Sequence, residues 1–271
     1  MKRLGRERVN RARRVQVHGH RGARAIYPEN TLPGFEYAIA CGVDALELDL
    51  AVTRDNVLVV SHDPAMNLVL CTGPAGAAGS TTSREMTLAQ LQYWECGARS
   101  NPAFPQQWAV AGTRVPTFEQ VLALAGRGAF HFNVETKIFA DRPELMPDPE
   151  EFVELIYKAA LAHDLVDRLI LQSFDFRTLE AMGRLDASVR RSALFDEGST
   201  DVVTRSMDIF AHIISPHLSL ATAELVKQAH GEGMDVVPWT ANTEQQWDAL
   251  MEAGVDGIIT DDPGALIAYL G

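Results

Sequence analysis

The sequence predicts an α/β protein, a TIM (β/α)8 barrel with a small insertion after the second strand region. Three observations carry that expectation. Short apolar strand-like runs alternate with helical patterns from Val15 to the end of the chain. Such alternation implies parallel strands joined by right-handed crossovers. About eight such units fit, and 271 residues is a usual length for one barrel of this kind.

In chain order, the first strand candidate is VQVHGH (15–20). LPGFEYAIACG (32–42) reads as a helix closed by Gly42. ALELDLAV (45–52) and VLVVSHD (57–63) are the next strand candidates. FHFNVETK (130–137), RLILQSF (168–174) and RRSALF (190–195) follow, then HIISPH (212–217), DVVPWTAN (235–242) and DGIITDD (256–262). Between them lie the helical patterns TFEQVLALAG, PEEFVELIYKAALAHD, FRTLEAMGRL, TAELVKQAHGEG, TEQQWDALMEAG and GALIAYLG. Thr117 with Gln120, and Thr243 with Gln246, have capping-box spacing. Gly233 and Gly254 follow helical runs, as left-handed caps do.

Residues 66–114 break the alternation. They are rich in Gly, Ala, Ser, Thr and Pro, with one short helical pattern, TLAQLQYWECG. An insertion serving as a lid or small subdomain is expected there. Residues 1–14, MKRLGRERVNRARR, read as a basic disordered tail, and 15–271 as a single domain. The run after the tail is too short and too polar for a secretory signal. No window has the uninterrupted apolar length of a membrane span.

The composition is that of an ordinary globular protein, with 46% hydrophobic and 22% charged residues. The formal net charge of −12 disfavours nucleic acid and anionic membranes as partners. It also means that any phosphate chemistry needs local cations. Three cysteines, Cys41, Cys71 and Cys96, form no C-x-x-C pair, and their odd count argues against a disulfide framework. Structural or bystander thiols in a reducing compartment are expected, hence a cytoplasmic location. Homo-oligomerisation stays open.

Parity along the strands locates the chemistry. In ALELDLAV, Leu46, Leu48 and Leu50 share one face, and Glu47 and Asp49 share the other. The leucines suit the layer beneath the helices, which turns both carboxylates into the barrel. Two inward carboxylates repel and are costly to bury unpaired. A hard divalent cation resolves this, and so would ion pairs with Arg or Lys inside the barrel. In FHFNVETK, His131, Asn133, Glu135 and Lys137 share the face opposite Phe130, Phe132 and Val134. Glu135 is a natural third oxygen ligand, and Lys137 stands where a phosphate or charge-balancing partner would. An all-carboxylate set suits one Mg²⁺ or Ca²⁺ better than Zn²⁺.

Phosphodiester hydrolysis by in-line attack needs a base for the nucleophile and an acid for the leaving oxygen. Two imidazoles can supply both. His20, followed by Arg21-Gly22, and His62, followed by Asp63, are the candidates. His18 reads as structural or supporting, and the remaining histidines are given no role.

These pieces in this order resemble the glycerophosphodiester phosphodiesterase family. The likeness rests on HRG (20–22), PENT (28–31), GVDALELDLAVTRDNVLVVSHD (42–63), VPTFEQVL (115–122), NVETK (133–137), QSFD (172–175), PWTAN (238–242) and GVDGIITDDP (254–263). It spans nearly the whole chain beyond the basic tail. The resemblance implies a TIM barrel that hydrolyses glycerophosphodiesters to sn-glycerol 3-phosphate and an alcohol. It implies His20 and His62 as the acid–base pair, Glu47, Asp49 and Glu135 as metal ligands, and Arg21 and Lys137 as phosphate contacts. It also implies Trp239 as a wall for the glycerol moiety, although a packed barrel aromatic is a competing reading. Glu29 lies at the same rim. Asn56 stands where the family often has Gly, and His18 where a small or apolar residue is usual. The insertion matches the family's variable region, where leaving-group preference is set. Two other functions compete: a related barrel phosphodiesterase acting on phospholipids, and a non-catalytic barrel that binds a polyol phosphate. No apolar rim suited to a lipid is evident in the sequence.

Overall fold

The structure is a computed structural model that describes residues 14–74 and 81–271. The basic tail, Arg14 apart, and part of the Gly/Ala-rich run lie outside the described residues. Nine strands form one sheet: β1 (Gln16–Gly19), β2 (Ala45–Val52), β3 (Leu58–Val60), β4 (His131–Thr136), β5 (Leu169–Ser173), β6 (Arg190–Phe195), β7 (Ile213–Pro216), β8 (Asp235–Val236) and β9 (Gly257–Thr260). The ladder order is β8-β7-β6-β5-β4-β2-β1-β9, and every pairing on that path is parallel. Backbone hydrogen bonds from Asp256 to Val236, Ile259 to Pro238 and Ala241 to Ile259 join the two ends of this path. Eight parallel strands thus close into a TIM barrel.

The helices are α1 (Leu32–Cys41), α2 (Leu88–Leu91), α3 (Phe118–Leu122), α4 (Pro149–Ala162), α5 (Phe176–Leu185), α6 (Val202–Asp208), α7 (Ala223–Gly231), α8 (Glu244–Ala253) and α9 (Pro263–Leu270). Both expected capping boxes form, at Thr117 and Thr243. Gly42, Gly233 and Gly254 take the left-handed conformation that ends their helices. None of the helices among the described residues is long and apolar enough to cross a membrane.

Strand parity sorts the barrel as alternation requires. Leu46, Leu48, Leu50, Phe132, Val134 and Leu171 are fully buried in the main core beneath the helices. Each such leucine contributes about 2 kcal/mol of burial. Inside the barrel, Ile170, Ile213, Val237 and Ile259 form a separate apolar plug, with Trp239 packed against it. The inward positions of β1, β2 and β4, with Gln172 of β5, carry polar side chains instead.

Four expectations need correction. First, β3 is not a barrel strand: it pairs antiparallel with β2 through the turn at Asn56. Asn56 takes φ 58°, so its tolerance of left-handed geometry is used. His62 therefore sits in the loop beyond this hairpin. Second, α6 was not anticipated. It is short, and Asp201 before it makes no side-chain cap. Third, TLAQLQYWECG yields only the single turn of α2, and DVVPWTAN only the two residues of β8. Fourth, the cysteines are not all thiols. Cys71 and Cys96 form a disulfide, and Cys41 alone is free. Thr72 and Glu95 pair as an antiparallel bridge, exchanging hydrogen bonds of 2.7 and 2.9 Å, which sets the neighbouring cysteines side by side. An odd count excludes a fully paired set, not one pair with one thiol left over.

Candidate active site

The site begins with the register of two strands. In the β2–β4 ladder, Asp49 lies opposite Glu135, and Glu47 opposite Asn133. Carboxylate oxygens of Glu47, Asp49 and Glu135 all fall within 4.8 Å of one another, and all three residues are buried. Lys137 Nζ lies 3.0 Å from Asp49 and 2.5 Å from Glu135. Glu47 accepts from two neutral donors, the Arg21 backbone N–H at 2.7 Å and Gln172 Nε2 at 2.7 Å. Asn30 Nδ2 donates to Asp49 at 2.8 Å.

Electrostatics show an under-neutralised cluster. Burial first, then Asp49 and Glu135, push the Glu47 carboxyl well above its usual range. Burial also raises Glu135, with Lys137 opposing. Burial works against ionisation of Asp49, but Lys137 and Arg21 outweigh it and hold that carboxyl below its usual range. Ion pairing inside the barrel, the alternative to metal binding, is therefore present, yet three cations, Lys137, Arg21 and Arg24, serve five acids, Glu47, Asp49, Glu135, Glu29 and Asp261. The oxygen-only donors and the surplus negative charge fit a hard divalent cation.

The turn after β1 aims the first histidine. Gly22 takes φ 86°, and a Cβ there would meet backbone atoms of Gly34 and Phe35 at 2.9 and 3.0 Å. Arg21 is itself left-handed, with φ 49°, a geometry that costs about 1–2 kcal/mol outside glycine. It places the Arg21 N–H on Glu47. His20 Nδ1 meets Asp261 Oδ1 at 2.5 Å. Asp261 also accepts from Asn242 Nδ2 at 2.7 Å and lies 3.6 Å from Arg24. Burial opposes its ionisation, but His20 and Arg24 keep its carboxyl below the usual range. An ionised Asp261 accepts only, so the proton of that contact sits on His20 Nδ1 and leaves Nε2 with its lone pair. Burial lowers the His20 pKa below 6.5, with Asp261 opposing. His62 Nδ1 is paired with Asp63 at 2.8 Å.

His20, His62, Glu47, Glu135, Lys137, Arg21 and Trp239 all line one cavity at the C-terminal end of the barrel. Asp49 lies beneath it, bound to Lys137 and Arg21. The site residues expected from sequence thus come together. Arg21 also pairs with Glu29 at 2.7 Å. Among the described residues, the buried Nε atoms of Arg21 and Arg24 have no acceptor in hydrogen-bond geometry, although they lie 3.4 Å from Asp49 and 3.5 Å from Glu29. Trp239 packs on the apolar plug, donates Nε1 to the Ser215 carbonyl at 3.0 Å and also borders the cavity.

A model of the glycerophosphoryl diester phosphodiesterase family matches residues 20–265. The chain belongs to that family. Among relatives, a glycerophosphodiester phosphodiesterase of Caldanaerobacter subterraneus subsp. tengcongensis is 30% identical over 251 residues, covering 93% of this chain and 96% of that one. A solved structure from Silicibacter pomeroyi, named for the same activity, superposes with a TM-score of 0.87 at 28% identity, covering 96% and 95% of the two chains. An Oleispira antarctica phosphodiesterase, solved with the product sn-glycerol-3-phosphate, shares the fold at a TM-score of 0.77 and 21% identity, covering 94% and 96%.

Within this phosphodiesterase framework, sequence reasoning missed Asp261, Arg24, Gln172 and Asn30. Gln172, Asn30 and Asp261 each lie in a motif that the resemblance had marked, namely QSFD, PENT and TDDP. Position within those motifs was the available signal. His18, read from the sequence as structural or supporting, is buried against Asn133, at 3.3 Å, and Gln16, at 3.4 Å. Burial, then Arg190 and His131, lower its pKa to about 3.

Proposed function

We propose that this protein hydrolyses glycerophosphodiesters to sn-glycerol 3-phosphate and an alcohol, with one Mg²⁺ or Ca²⁺ as cofactor. The observation that carries the reading is the convergence of Glu47, Asp49 and Glu135 beside a cavity shared by His20 and His62. Family membership supports it independently.

A divalent ion held by Glu47, Asp49 and Glu135 would withdraw charge from the non-bridging oxygens of the phosphodiester. Arg21 and Arg24 offer buried N–H groups to the same oxygens, which supplies the local cations an acidic protein needs. His20, neutral and held by Asp261, takes the proton of the attacking water on Nε2 as its oxygen bonds to phosphorus. His62, oriented by Asp63, gives a proton to the departing alcohol oxygen as the P–O bond breaks. One proton is taken and one is given, and exchange with solvent restores both histidines before the next turnover. Trp239 walls the cavity on the glycerol side.

Glycerophosphocholine and glycerophosphoethanolamine, offered with and without EDTA, test this reading. Glycerol 3-phosphate release that EDTA abolishes and Mg²⁺ or Ca²⁺ restores is the expected result. Absence of product from every glycerophosphodiester, with tight binding of glycerol 3-phosphate, favours the binding-only barrel.

The phospholipid-directed reading gains one observation. Leu68 and Trp108 of the insertion, 61% and 69% exposed, are apolar side chains presented to solvent. Lysophosphatidylcholine as a further substrate tests it. The expected cytoplasmic location rested on free thiols. The Cys71–Cys96 bridge favours an oxidising compartment instead.

A further inference from the structure

Three recesses meet at His62. The catalytic cavity is the first. The second runs beneath the insertion, past Met66, Leu70, Arg99 and Gln107. The third is bounded by His62, Asp63, Phe139, Phe174 and Asp175, with Glu135 and Lys137 at its floor.

The chemistry of the third recess is distinct. Phe174, at the end of β5, is 43% exposed, and its ring meets Trp239 edge-to-face at 5.6 Å. Phe139, just beyond β4, is half-buried. Neither phenyl ring offers a hydrogen bond to a polyol. Asp175 is engaged, since it pairs with Arg177 and caps α5. Glu135 and Lys137 are engaged with one another and, through Lys137, with Asp49. Asp63 remains: its half-exposed carboxylate takes one side-chain hydrogen bond among the described residues, from His62. Two phenyl rings and one half-exposed carboxylate, that of Asp63 beside His62, make the chemistry that recognises an alkylammonium. The second recess carries the Arg99 guanidinium instead, which repels such a group.

We infer that the recess of Asp63, Phe139 and Phe174 receives the cationic end of the leaving alcohol, so that the preferred substrates carry choline or ethanolamine rather than glycerol or inositol. This rests on the proposed hydrolysis. The ammonium of these alcohols lies two carbons from the ester oxygen, and His62 stands at the junction where that oxygen departs.

The test uses the full chain with its divalent ion. Values of kcat/KM are measured for glycerophosphocholine and for its neutral isostere with a 3,3-dimethylbutyl leaving group. The two have the same shape and differ in charge. The wild type is expected to favour choline by about tenfold or more. Phe139→Leu and Phe174→Leu keep apolar bulk but lose the aromatic face, and each should lower that ratio about threefold to tenfold. Comparing ratios between variants cancels the intrinsic difference in leaving-group reactivity. A ratio near one in the wild type, or one unchanged in both variants, overturns the inference. So does a common loss on both substrates, which would assign the rings to the glycerol end. Calorimetric binding of phosphocholine against 3,3-dimethylbutyl phosphate reads the same preference without turnover. A protein that hydrolyses nothing yet keeps that binding ratio retains the subsite and loses the reaction.

Discussion

Asp49 and Glu135 face each other across the β2–β4 ladder, and the Lys137 ammonium bridges their carboxylates. Glu47, the third acid, has only neutral hydrogen-bond donors at its oxygens among the described residues. A cation of higher charge relieves this imbalance. Saturating Mg²⁺ or Ca²⁺ should therefore raise the melting temperature, by about 2.7 kcal/mol of stabilisation at a hundredfold excess over Kd. Glu47→Gln and Glu135→Gln should erase the rise while the ion-free protein still folds. A metal-independent melting curve in the wild type would remove the ion from the site.

His20→Ala and His62→Ala should each keep the fold and lose roughly two orders of magnitude or more in rate. Near-normal turnover in either removes that residue from the acid–base pair. Because burial lowers the His20 pKa, the acid limb of kcat/KM should fall below pH 6.5. Asp261 raises that pKa, so Asp261→Asn should move the limb to lower pH as well as slow the reaction. A variant that is merely less stable would leave the limb where it was.

His18 gives a stability signature of its own. It is neutral when folded, with a pKa of about 3 against 6.5 for an ordinary histidine. Below pH 6.5 the unfolded chain therefore binds a proton that the folded chain refuses. Stability must fall as pH drops from 6.5 toward 3, by about 1.4 kcal/mol per pH unit from this residue, and the loss is absent above 6.5. Urea midpoints of wild type and His18→Gln, compared from pH 7 to pH 4, should diverge with that sign. Parallel curves would show that His18 accepts a proton in place.

Denatured protein prepared without reductant should show one reactive thiol per chain, Cys41, and three after reduction. The bridge spans 25 residues of sequence, and loop entropy of that size is worth about 3 kcal/mol to the segment it closes. Three thiols before reduction would restore the free-cysteine reading.

The barrel and its acids were legible because strand alternation is strict. Parity placed Glu47 and Asp49 opposite the leucines, and Glu135 opposite Phe132 and Val134, without any knowledge of register. The position of Asp49 beside Glu135 needed the ladder itself. Asp261 was illegible for a different reason. It follows the last strand, where alternation has ended, beside a second aspartate that caps α9. Its partner lies 241 residues away. Arg24 sits in a turn with no periodicity to assign it a direction. The disulfide escaped because its spacing reflects how a loop folds back, which composition does not encode.

The contact between His20 and Asp261 joins the first barrel strand to the last. Strand β1 is flanked on one side by β9, which the ribosome makes last. Translation products that stop short of Asp261 should therefore carry all three acids and both imidazoles yet be inert. Activity would switch on only when the final strand emerges and seals the cylinder.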